Sequence, residues 1–202
     1  MIPNYIIVHT AAAGYAGKCT DCSAKDIDKW HKQNGWRCIG YHGVIRMGGA
    51  FEPGRKETET GAHATPPTKE FADINKHSLG ICMSGHGDIC PWTNEQKETF
   101  LRIVGGWCKK YNIPVENVLG HRELGSNKSC PGSLIDMNGV RKTLHAYLSV
   151  TSTIKEVPGI VKFFIQMGLR YLNSAIVRRY IPEKIRISIA LLFKDCKDGG
   201  LL

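Results

Sequence analysis

Residues 119–132 read LGHRELGSNKSCPG. An imidazole (His121), an amine (Lys128) and a thiol (Cys130) share this one loop, and Pro131 and Gly132 close it. Val115 to Leu119, just before it, read as a short buried strand. Ligand sites in α/β sheets gather at strand ends, so His121 stands where a sheet delivers functional groups. Two ligands do not hold a catalytic metal alone. Such sites take three protein ligands and leave a position open. His9 is the best third candidate, because it ends the apolar, β-branched run Tyr5-Ile-Ile-Val8. Two imidazoles and a thiolate would form an open site suited to one zinc ion. A single strand-end histidine is more often a hydrogen-bonded structural residue than a ligand, and spacing alone leaves both readings standing.

Working outward, the chain alternates strand and helix signals. Ser23 and Asp26 predict an N-cap and first-turn acid for a helix running to about Gln33, which Gly35 stops. Gly40 to Met47 predicts a strand, Gly48-Gly49 a hairpin turn, and Ala50 to Glu52 the return strand. Residues 11–23 and the Pro66-Pro67 segment read as loops. Leu79 to Ser84 is a further buried strand. Thr93 predicts the cap of a helix with Glu95 and Glu98 in its first turn. Phe100, Leu101, Val104, Trp107 and Cys108 give that helix an apolar stripe. Leu134 to Leu148 predicts another helix. The pattern is that of an α/β fold, a sheet covered on both faces by helices.

The 202 residues carry 42% hydrophobic and 22% charged side chains, a globular composition without low-complexity blocks. The formal charge of +9 suits an acidic partner: nucleic acid, an anionic membrane surface or a bacterial envelope. The N-terminus lacks the basic leader and long apolar run of a signal peptide, and no stretch reaches the length of a membrane span. Synthesis in the cytoplasm is therefore expected. Eight cysteines are many for such a chain; reduced or metal-bound thiols are the expectation there. Cys19 and Cys22 form a C-x-x-C with no second pair, read as two loop thiols able to bridge if oxidised. Cys38, Cys82 and Cys108 read as small core fillers.

Character changes near Ser149. The reading divides the chain into a domain over 1–150 and a basic amphipathic C-terminal extension over 151–202. That extension contributes +5 of the net charge. Lys162, Gln166, Arg170, Ser174 and Arg178 form its polar stripe, Pro182 interrupts it, and an alternating apolar run follows.

Six motifs occur in order: IVHTAA, IDKWHKQNGWRCIGYH, GAHA, HSLGICMSG, GHREL and KSCPG. Together they resemble the zinc-dependent N-acetylmuramoyl-L-alanine amidases, the superfamily that includes small phage lysis amidases and peptidoglycan recognition proteins. The resemblance runs from about Ile6 to about Met137. It implies a central mixed β-sheet flanked by helices and a zinc triad of His9, His121 and Cys130. It implies an active-site tyrosine at Tyr41 and, as in the phage branch, a lysine at Lys128. The implied reaction is hydrolysis of the amide between N-acetylmuramic acid and L-alanine in peptidoglycan. Lys128 would stabilise the oxyanion and Tyr41 would orient water or move a proton; the sequence does not divide the proton between them. His31 and His63 are the candidate substrate-binding residues. His42 reads as packing, Glu123 as a brace of the HREL turn, and His86 as solvated. The segment 65–76 is longer than in compact phage enzymes and is expected to wall the groove.

The implied setting is a phage or prophage endolysin. It would be held in the host cytoplasm and act on the cell wall after a holin opens the membrane. For residues 155–194 two expectations stand equally, binding to an anionic membrane or outer-membrane lipid and packing on the core as an ordinary helix with a solvated basic face; a partner or oligomer contact is the third. Inhibition of a phage RNA polymerase is an alternative role on the same fold. A non-catalytic peptidoglycan-binding module is another, opposed by the presence of Cys130. Nucleic acid is not expected as a partner, since no groove-reading helix or aromatic-basic platform is present. A monomer is expected.

Overall fold

The computed structural model describes residues 1–65, 68–125 and 128–154. The expectations placed on 155–202 lie outside the described residues. Met1–Arg141 forms a compact unit by itself, and of the chain beyond it the structure describes Lys142–Ile154.

The strands are β1 (Tyr5–Thr10), β2 (Gly14–Tyr15), β3 (Lys18–Cys19), β4 (Gly43–Ile45), β5 (Phe51–Pro53), β6 (Ser78–Met83) and β7 (Val118–Gly120). The helices are α1 (Ala24–Gln33), α2 (Ile74–His77), α3 (Asn94–Tyr111) and α4 (Met137–Ile154). Five strands form one sheet in the order β5-β4-β6-β1-β7, and β2 with β3 makes a separate hairpin. β1 pairs parallel to both β6 and β7, β4 pairs parallel to β6, and only β5 runs antiparallel, so the sheet is mixed. Ile6, Ile7, Val8, Leu79 and Ile81 have no exposed surface, the pattern of central parallel strands buried on both faces.

Side chains alternate across a strand. Ile7 and His9 of β1 therefore share one face, and register places His9 beside Cys82, which is beside Val44. On that face Cys22, Ile27 of α1, Ile39, Val44 and Cys82 form one apolar cluster, while Ile7, Ala64, Ile74 and Leu124 form another. Toward the opposite face, Phe51 meets Trp107 of α3 edge to face at 6.5 Å. Among the described residues no helix is long and apolar enough to cross a membrane.

The helix starts follow their capping residues. Ser23 Oγ accepts the Asp26 N–H and the Asp26 carboxylate accepts the Ser23 N–H; Thr93 and Gln96 repeat the arrangement on α3. Each such box is worth about 1 kcal/mol. Other elements depart from expectation. The strand expected over 40–47 is only Gly43–Ile45, because the Gly40 carbonyl instead accepts the Ala62 N–H and the Tyr41 carbonyl the Arg55 N–H. Val115–Asn117 is a 3-10 turn, and the strand after it reaches Gly120. α4 starts at Met137 rather than Leu134, since Ile135 closes a turn onto the Gly132 carbonyl and Asp136 Oδ1 accepts the Asn138 N–H. The 65–76 segment contains a 3-10 turn at Lys69–Phe71 and the start of α2.

Candidate active site and metal centre

His9, near the C-terminal end of β1, is 1% exposed. Its Nδ1 lies 3.7 Å from Cys130 Sγ, and its Nε2 lies 3.1 Å from His63 Nδ1. β7 ends at Gly120, so His121 opens the 3-10 turn that follows, and its ring centroid is 4.7 Å from that of His9. Cys130 Sγ accepts the Thr10 N–H at 3.5 Å. One ligand atom each from His9, His121 and Cys130 fall within 4.8 Å of one another. The three residues named from sequence are thus brought together by the ends of two strands and one loop.

The donor set fits a cation. His121 Nε2 is buried without a hydrogen-bond partner among the described residues, a condition that costs about 1–3 kcal/mol when nothing relieves it. Burial holds His9 well below the usual imidazole range, helped by His63 and His121, and burial with the Lys128 charge lowers His121. Both imidazoles are therefore neutral, the form that can ligate a metal. Burial raises the Cys130 thiol, with the Thr10 N–H and Lys128 acting the other way. Two neutral nitrogens and a sulfur suit a soft or borderline divalent metal.

The Cys130 loop is held from two sides. Arg122, next to His121, donates its N–H to the Cys130 carbonyl at 2.7 Å. Its guanidinium donates to the carbonyls of Ser129 at 3.1 Å, Gly132 at 2.5 Å and Ile135 at 2.6 Å. Opposite, the Asp88 carboxylate accepts from Ser129 Oγ and the Ser133 N–H, both at 2.5 Å, and these bonds hold its acidity at about 2. Glu123 accepts the Gly120 N–H at 2.6 Å and two bonds from Arg141 at 2.9 Å, bracing the turn as expected. Neither Asp88 nor the bridging role of Arg122 was legible beforehand. Arg122 sits inside the HREL motif, but Asp88 gives no local signal.

The cysteines need a correction. Cys19 does not pair with Cys22 but forms a disulfide with Cys90, tying the β2–β3 hairpin to the 85–90 loop that carries Asp88. Cys22 turns inward instead: it is 2% exposed, in the cluster with Cys82, and Ser84 Oγ approaches its sulfur at 3.4 Å. Cys82 and Cys108 are buried as expected, whereas Cys38 is only half-buried.

A groove of about 970 Å³ runs over the triad. Tyr41, Lys128, His63 and the exposed Trp36 line it, as do Thr65 and Asn75 from the long segment. Tyr41 packs on the Cys22–Cys82 cluster with its ring 5.0 Å from His9. Burial, then Cys82 and Cys130, push it well above the usual phenol range, so it is a neutral proton-bearing group. Lys128 is exposed at the groove edge. His31 lies behind the wall. Its Nδ1 accepts the Gly40 N–H at 2.9 Å, and its ring packs at a tilt against Trp36 at 4.4 Å and Tyr41 at 5.5 Å. His63 is 6% exposed, with both ring nitrogens facing protein atoms. His42 is a packing residue: Nδ1 accepts the Gly80 N–H and Nε2 faces the Glu59 carbonyl. His86 is half-buried in the groove wall rather than solvated, with Nδ1 accepting the Asp88 N–H.

Comparison with known proteins gives the family and the fold. The endolysin of Escherichia phage T7 is 34% identical over 131 residues, covering 62% of this chain and 78% of its own. The solved structure of the N-acetylmuramoyl-L-alanine amidase LysC from Clostridium intestinale is 28% identical with a TM-score of 0.61, over 71% of this chain and 86% of that one. Wild-type Drosophila PGRP-LB is 26% identical with a TM-score of 0.52, over 65% and 76%. The family model for N-acetylmuramoyl-L-alanine amidase matches residues 1–133, from β1 through the Cys130 loop. The chain therefore belongs to the N-acetylmuramoyl-L-alanine amidases, enzymes that act on peptidoglycan.

Proposed function

We propose that this chain performs its amidase reaction with one zinc ion held by His9, His121 and Cys130. The observation that carries this reading is the unpartnered, buried Nε2 of His121 beside the His9 nitrogen and Cys130 sulfur. When bound, zinc supplies an acidified water and polarises the scissile carbonyl. The protein's own groups do the rest. The groove orients the lactyl amide over the triad. Lys128 places a cation at the edge where negative charge develops on the carbonyl oxygen. Tyr41 is neutral at the pH of action, so Oη can give its proton to the leaving nitrogen and regain one from the attacking water. The amide C–N bond breaks, water's hydroxyl joins the lactyl carbonyl, and the proton goes to the L-alanine nitrogen.

The phage endolysin relatives support a role in host lysis; in that role the enzyme would be made in the cytoplasm and would act on the wall once a separate protein opens the membrane. Mass spectrometry of products from purified murein tests the chemistry. Stem peptides with a free L-alanine amino end are expected, lost on chelation and restored by zinc. Absence of cleavage by folded, zinc-loaded protein overturns the reading.

A further inference from the structure

His63 was expected to meet substrate, yet its surroundings describe a different task. Three hydrogen bonds run in line behind the triad. Ser78 Oγ donates to the Ile74 carbonyl at 2.6 Å, His63 Nε2 is 3.4 Å from Ser78 Oγ, and His63 Nδ1 is 3.1 Å from His9 Nε2. The polarity of this line follows from counting protons. A serine hydroxyl has one, and Ser78 gives it to a carbonyl, which can only accept. Ser78 Oγ must then accept from His63 Nε2–H. A neutral imidazole carries one proton, so His63 Nδ1 is bare and accepts from His9 Nε2–H. His9 is left with its lone pair on Nδ1, the nitrogen that faces Cys130 Sγ.

The site is built for this ring. Ser78 has no exposed surface. A Cβ on Gly80 would sit 2.5 Å from His63 Cγ and Cδ2, and one on Gly61 would sit 2.5 Å from His63 Cδ2. Both glycines leave the space that the imidazole fills. Asn75 Oδ1 accepts the His63 and Ala64 N–H groups at 3.0 and 3.1 Å, fixing the backbone that carries the ring. His42, whose ring is 5.8 Å away, has both nitrogens engaged elsewhere and does not compete.

We propose that His63 is a positioning residue for the metal centre: backed by Ser78, it locks His9 in the tautomer that presents Nδ1 to the ion before the ion arrives. The inference rests on the metal triad proposed above. Partners behind a metal-bound histidine typically change metal affinity 10- to 100-fold, and a purely substrate-binding residue would leave metal affinity unchanged.

The test uses the full chain. Imidazole 15N spectra of the metal-free protein report the tautomer, and competition with a chromogenic chelator reports zinc affinity. In wild type, His9 is expected protonated on Nε2. His63→Leu is expected to lose that signature and bind zinc about 10- to 100-fold more weakly. His63→Gln, whose carbonyl can accept from His9 Nε2–H, is expected to recover most of the affinity. Should His63→Leu fail to fold, Ser78→Ala remains: it is expected to mix the His9 tautomers and weaken zinc several-fold. His9 protonated on Nδ1 in wild type, or wild-type zinc affinity in both folded His63→Leu and Ser78→Ala, overturns the proposal. Cys130→Ser separates the two levels. If it abolishes zinc binding while the His63 and Ser78 variants keep wild-type zinc affinity, only the positioning role fails. If it also keeps zinc, the triad itself fails.

Discussion

Cys130 and Lys128 lie two residues apart on one loop, and substitution should separate their roles. Cys130→Ser is expected to lose bound zinc and turnover together, read by metal analysis and murein digestion. Lys128→Ala is expected to keep zinc, because the side chain is exposed and outside the ligand set. Its turnover should fall by about 100- to 1,000-fold, the usual effect of removing one oxyanion-stabilising group. A variant that loses zinc along with activity would make the lysine structural. The buried imidazoles give a second handle. Burial lowers His9 and His42, and brings His63 down to about 3. The unfolded chain takes up protons near pH 6.5 that these folded groups refuse. Stability therefore rises with pH through that window and is lost as pH falls below it. The denaturation midpoint of the metal-free protein is expected to drop between about pH 7 and about pH 5; a flat midpoint would mean these rings take up protons while folded.

Among elements, the loop 129–135 is the one whose position is set by the rest. Arg122 holds three of its carbonyls, and removing those charged bonds in Arg122→Ala is expected to cost about 2–4 kcal/mol. Denaturant melting measures that cost, and zinc affinity should fall with it. A well-folded variant with unchanged affinity would show that Asp88 alone suffices. The same loop shows what sequence could reveal. His121 and Cys130 announced themselves through residue type and strand-end position, which are local facts. The Ser23 and Thr93 caps were legible for the same reason, since a cap and its partner lie three residues apart. The β2–β3 hairpin escaped notice because two-residue strands carry no alternation. The pairing of Cys19 with Cys90, Asp88 with Ser129, and His63 with Ser78 depends on register between distant segments, which no local pattern encodes.

For the whole molecule, the first compact unit already contains the triad, the groove and Tyr41. A chain ended after Ile154 keeps every described residue of α4. It is expected to fold and to release L-alanine peptides from isolated murein at a rate near that of the full chain. Insoluble product would make 155–202 part of the core instead.

The bond between Cys19 and Cys90 turns 71 residues of separation into a closed ring. α1, β4, β5, α2 and β6 all lie on that ring, while His9, His121 and Cys130 lie on the two free arms that leave it. On the chain-entropy account such a closure stabilises by about 4 kcal/mol. A ring also survives a single cut. Trypsin nicking at the exposed Lys56 should open the circle without releasing a piece. The product would migrate as one species on a denaturing gel and separate into two only when reductant is added.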